Sequence, residues 1–117
     1  MSKPLPNYIR TFRRKADLSQ DELARLLGGV AGSTALRHED YQRVPLLETA
    51  LRYAAIFRTD PRELFAGCYA KESEVVRENA RALLKELDAS SASKRKIAFL
   101  KALAKETDMH YEPCEEE

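Results

Sequence analysis

Several things are scarce in this chain, and each shortage narrows what it can be. There are two cysteines, Cys68 and Cys114, in 117 residues, which rules out a disulfide framework and suits a reducing compartment. Together with His38 and His110 they supply four nominal metal ligands, but no two have close ligand spacing, so no metal site is expected. No apolar run approaches the ~20 residues that span a bilayer. The opening MSKPLPNYIR lacks an apolar signal core, so no secretion signal is expected and a cytoplasmic location is. Clean apolar–polar alternation is missing and β-branched residues are few, so strands are not expected.

Chemistry of the enzymatic kind is also absent. No nucleophile–base pair or metal cluster stands out. GGVAG (28–32) is not followed by the Lys-Ser/Thr that a phosphate-cradling loop needs. The chain reads as a non-enzyme without a cofactor.

What is present is helical spacing. Net charge is +1, but residues 1–67 carry eleven Lys/Arg against eight Asp/Glu, and residues 68–117 carry nine against eleven. A basic front and an acidic rear suggest two tasks. A first helix is predicted over Asn7–Ala16, with Tyr8, Ile9 and Phe12 inward. Ser19 and Glu22 have capping-box spacing ahead of a second helix whose apolar stripe is Leu23, Leu26 and Leu27, and Gly28 ends it. A third helix is predicted from Gly32–Ser33 to Asp40. A fourth runs from Leu47 to Phe57 with Leu47, Ala50, Leu51, Ala54 and Phe57 at helical spacing. Asp60, Pro61 and Glu63 are a helix-start signal, with Leu64 and Phe65 as anchors.

Beyond this, Tyr69, Val76 and Leu83 recur every seven residues, with Ala80 and Leu87 offset by four. That is the narrow seam of a long amphipathic helix, read as a dimerisation face. Residues 89–93 (ASSAS) interrupt it. Ser93 can cap a last helix carrying Ile97, Leu100, Leu103 and Ala104 on one side. The acidic end, 111–117, is expected to be disordered. The expected fold is all-α: a five-helix domain over 1–67, then a C-terminal helical extension over 68–110.

Gly28, Gly29 and Gly32 sit between the second and third helices, and two helices joined by a tight glycine-containing turn form a helix-turn-helix. Close crossing requires a small residue on the second helix, and Ala24 supplies it. With the shortest turn the third helix would bury Thr34 and Arg37, and an unpaired buried arginine is very costly. One extra turn residue, made possible by Gly29, buries Ala35 and His38 instead. Gly32, Ser33, Leu36 and Arg37 then face outward.

LSQDELARLLG, followed by S-T-x-x-R-x-E (33–39), R-x-P-x-L-E-T (43–49) and ELF (63–65), resembles the Cro/phage-repressor (XRE-like) helix-turn-helix family over Tyr8–Phe65. The longer turn, Tyr41 where a glycine commonly follows the third helix, and His38 where an aliphatic residue is usual depart from that pattern. The resemblance implies a transcriptional regulator of a bacterium or phage that binds double-stranded DNA, more often as a repressor. It implies that Gln20 anchors a phosphate, that Ser33, Thr34 and Arg37 meet the major groove, with Gly32 and Leu36 on the same face, and that Gln42 and Arg43 touch phosphates. It further implies a buried pair between Arg13 and Glu39. Proteins of this kind usually act as homodimers on paired half-sites. The alternative is an antitoxin-type module whose C-terminal half holds a partner protein.

Overall fold

The computed structural model describes residues 3–87 and 91–105. All regular structure in them is helical: α1 (Ile9–Lys15), α2 (Gln20–Leu27), α3 (Gly32–Glu39), α4 (Leu47–Phe57), α5 (Pro61–Leu64), α6 (Ala66–Glu86) and α7 (Lys94–Lys105). No described helix is long and apolar enough to cross a membrane. Among the described residues no three His, Cys, Asp or Glu side chains converge on a metal-sized site. The acidic segment 111–117, with His110 and Cys114, lies outside the described residues.

The chain divides into two compact units, one ending at Cys68 and the other starting at Tyr69; α6 begins in the first and continues into the second. The first unit contains α1 to α5. Its helix boundaries follow from local chemistry. Asn7 Oδ1 accepts from the Ile9 N–H at 3.0 Å to open α1. At α2 both halves of the capping box form: Ser19 Oγ accepts from Glu22 N at 3.0 Å, and Ser19 N donates to Glu22 Oε1 at 2.9 Å. Asp60 Oδ1 accepts from Arg62 N at 2.7 Å to start α5, with Pro61 in the first turn. α1 and α3 end in paired 6→1 and 5→2 backbone hydrogen bonds (Leu18 to Arg13 and Asp17 to Arg14; Gln42 to Arg37 and Tyr41 to His38). The left-handed residue that such an ending needs is Asp17 in α1 and Tyr41 in α3, neither of them glycine.

The core of this unit is Ile9, Leu23, Leu27, Ala35, Tyr53, Ala54, Leu64 and Phe65, with Tyr8, Phe12, Val30, Ala50, Ile56 and Phe57 packed around it. Tyr53 and Phe65 meet edge to face, and Phe12 lies tilted against Phe57. The segment that leads into α1 is tied down too. Leu5 O accepts from Gly67 N at 2.9 Å, and a Cβ on Gly67 would lie 2.5 Å from that same oxygen, so the close approach requires glycine.

Three expected core leucines are outside. Leu26, Leu47 and Leu51 are 56%, 71% and 50% exposed. In α4 the buried stripe runs through Ala50, Tyr53, Ala54 and Phe57, which leaves Leu51 about 100° of helix rotation from Ala50 and off the core. In α2 the stripe is Leu23, Ala24 and Leu27, and Leu26 lies on its outer flank.

The second unit pairs part of α6 with α7. Ala80, Leu100 and Ala104 are buried, and Leu84, Leu87 and Leu103 pack on them. Ser93 Oγ accepts from Lys96 N at 3.0 Å at the start of α7. Ala80 and Leu87, read from sequence as part of a dimer seam, therefore belong to an intrachain contact with α7. Tyr69, Val76 and Leu83 do not share it: they are 44%, 46% and 43% exposed. The offset-by-four positions are covered by α7, whereas Tyr69 and Val76 line an open hollow beside Leu103 of that helix.

Candidate nucleic-acid interface

The corner between α2 and α3 depends on two glycines. Gly28 and Gly29 have φ of +89° and +72°, values that L side chains reach only at a cost. Nothing lies within 4 Å of a Cβ built on either, so the requirement is purely one of backbone conformation. α3 then starts at Gly32, seated against the Asp21 side chain of α2. Ala31 offers no capping side chain, so the Asp21 carboxylate is the negative group beside the positive end of the α3 dipole.

Two faces of α3 separate cleanly. Ala35, His38 and Glu39 are buried, while Ser33 and Arg37 are exposed. Gly32, Thr34 and Leu36 are half-buried, less open than the sequence suggested for Gly32 and Leu36 because α2 crosses close by. Gln42 and Arg43 are exposed just after the helix.

The inner face is held by polar contacts rather than by apolar packing alone. His38 Nδ1 shares a hydrogen bond of 2.8 Å with the Tyr53 hydroxyl, and the two rings meet edge to face. Asn7 Nδ2 donates to the His38 carbonyl at 3.0 Å. Burial, and secondarily the charge of Arg43, hold the His38 imidazole below its ordinary pKa. Burial drives the Tyr53 phenol pKa upward, assisted by the Glu39 charge.

Glu39 is the centre of a second network. Its side chain is fully buried. Arg13 reaches it through Nε to Oε2 at 2.5 Å and Nη2 to Oε1 at 3.1 Å. Arg10 Nε and Gln20 Nε2 each approach Oε1 at 3.4 Å. Arg13 is fixed in turn by donating from Nη1 to the Leu18 carbonyl at 2.9 Å, and Arg10 also pairs with Asp40. Burial favours a protonated Glu39, but hydrogen bonds and charge from Arg13, with Gln20 and Arg10, outweigh it and hold the carboxyl below its usual range. The network spans α1, the start of α2 and the end of α3. It neutralises Glu39 and Asp40, so the exposed charges left at the α3 end are Arg37 and Arg43.

Sequence reasoning missed Asn7, Arg10, Asp40 and Tyr53. Asn7 carried a legible signal, a side-chain acceptor two residues ahead of a helix. The other three are long-range partners without a local signature. Gln20, expected to be free for a phosphate, has its amide directed at Glu39.

Comparison with family models, with curated proteins and with solved structures finds no match to this chain.

Proposed function

We propose that this chain is a sequence-specific DNA-binding regulator whose α2–α3 corner acts as a helix-turn-helix of the Cro/phage-repressor type, α3 being the recognition helix. The observation that carries this reading is the division of α3. One side is locked by the Tyr53 and Arg13 contacts, and the other presents Ser33 and Arg37 to solvent.

A recognition helix has to be rigid before it meets DNA, because base reading depends on side chains held in register. Arg37 has the reach and fork geometry for guanine O6 and N7, and Ser33 and Thr34 can hydrogen-bond base edges or phosphate. Gln42 and Arg43 follow in a loop suited to phosphate, where contacts orient without reading sequence. In this reading the protein is a homodimeric repressor on an inverted repeat. The exposed Tyr69, Val76 and Leu83 of α6, spaced by seven, are the residues for pairing with a second copy. An antitoxin-type module draws on the same exposed side chains and becomes the better reading if a different polypeptide co-purifies in fixed ratio.

The test is selection of bound duplexes from a random pool with the full chain. Enrichment of an inverted repeat with half-sites about one DNA turn apart is the expected result. A pool that shows no enrichment after repeated rounds overturns the proposal.

A further inference from the structure

α7 has a charge pattern that the packing of the second unit does not explain. Its twelve residues include Lys94, Arg95, Lys96, Lys101 and Lys105 and no acid. α6 is balanced, with Lys71, Arg77, Arg81 and Lys85 against Glu72, Glu74, Glu78 and Glu86. All five basic side chains of α7 are exposed. Three of them occupy the first turn, where the helix dipole is positive and cations are unfavourable. No carboxylate stands at i±3 or i±4 within the helix to offset them.

The positions also form a row. Lys94, Lys101 and Lys105 lie at i, i+7 and i+11, with Ala98 between them at i+4, so all four share one face. Ala98 is exposed as well. The row is about 16 Å long at a rise of about 1.5 Å per residue, with a small residue where a surface must come close. The apolar side of α7 is already used, because Leu100 and Ala104 are buried with Ala80. A basic amphipathic helix that enters a bilayer or a partner's groove leads with a continuous apolar side; outside its buried side α7 exposes one large apolar residue, Phe99 at 64%, which lies off the lysine row.

We propose that the Lys94–Lys101–Lys105 row binds the phosphate backbone of double-stranded DNA as a second, sequence-independent contact. This rests on the reading of the first unit as a DNA binder. Lysine suits the task, being a compact charge on a flexible stem that neutralises phosphate without selecting a base. B-DNA presents about one negative charge per 1.7 Å of axis, so a row of this length faces several phosphates at once.

The experiment is fluorescence anisotropy of the full chain on its selected duplex and on a scrambled duplex, across a salt series. It compares wild type, the triple variant K94Q/K101Q/K105Q and Arg37→Ala. Each lost phosphate contact lowers the slope of log K against log salt by about 0.9. The triple variant is therefore expected to lose about 2.7 of slope on both duplexes while keeping its preference between them. Between about 50 and about 200 mM salt, wild-type affinity then falls about 40-fold further than the variant's. Arg37→Ala is expected to do the opposite, losing preference with little change of slope. An unaltered slope in a triple variant that melts like wild type overturns the lysine row alone. An Arg37→Ala protein with intact preference overturns the reading of α3 alone, and absence of wild-type binding to either duplex overturns both.

Discussion

The Tyr53 hydroxyl lies 2.8 Å from His38 Nδ1, with Tyr53 fully buried and His38 4% exposed. One hydrogen bond thus ties the middle of α4 to the inner face of α3. Its loss leaves an imidazole nitrogen without its partner in the core, which costs about 1–3 kcal/mol. Tyr53→Phe is expected to lower the urea midpoint by that equivalent with helical content retained. An unchanged midpoint would show that the bond contributes nothing net.

The pH dependence of stability follows from the same pair and from Glu39. His38 titrates below its ordinary 6.5 in the native state, so its contribution is complete above that value and fades as pH falls toward the native pKa. Glu39 titrates below 4.5, and its contribution is lost at still lower pH. Tyr53 titrates above 10.0, so its contribution is complete below that value and is lost as pH rises beyond it. Denaturation midpoints should be highest between about pH 6.5 and about pH 10 and decline on both sides. A midpoint that stays level from about pH 6.5 down to about pH 4 would contradict the His38 assignment, and one that stays level below that would contradict the Glu39 assignment.

Removing one partner of the buried ion pair should be worse than any surface change in this domain. Glu39→Ala leaves Arg13, itself 12% exposed at the side chain, without its carboxylate. The expected loss is about 3–5 kcal/mol, readable by chemical denaturation. Arg14→Ala, an exposed position on the same helix, should change stability by less than about 0.5 kcal/mol.

Tyr41 carries a φ of +64° where α3 ends, and it is 47% exposed. A glycine there removes left-handed strain of about 1–2 kcal/mol, less what glycine adds to the entropy of the unfolded chain. Tyr41→Gly is expected to raise thermal stability modestly. A clear fall would mean that the ring contributes more to packing than its exposure indicates.

On DNA, Arg37→Ala should flatten base preference at one or two positions by about 1–3 kcal/mol. Arg43→Ala should weaken all duplexes alike and reduce the salt slope by about one. Equal losses on selected and scrambled duplexes in both variants would remove the distinction between reading and positioning.

Much of the first unit was legible because its signals are local. Capping boxes, first-turn proline and positive-φ glycine act within four or five residues, so Ser19, Glu22, Asp60, Pro61 and Gly28 could be read in place. The burial of Ala35 and His38 was legible too, since burying Arg37 instead would strand a charge. Helical spacing was less reliable for faces than for extents: α4 has the expected ends, but Leu51 is rotated off its core side, and Leu47, in line with Ala54, is exposed in the first turn. Spacing marks several apolar stripes equally well, and only the neighbours choose among them. Ala80 and Leu87 make the same point in α6, where α7 claims them.

The linear order of side chains by itself determined the helices, their caps and the glycine elbow, because those depend on hydrogen bonds and backbone angles within a turn or two of chain. Only the tertiary structure decided that Tyr53 and Asn7 would hold α3, that Arg10 and Gln20 would join Arg13 at Glu39, and that three leucines would stay in water. Such pairings join residues about fifteen to thirty positions apart. Their selection depends on which desolvated polar groups can reach one another once the helices have packed.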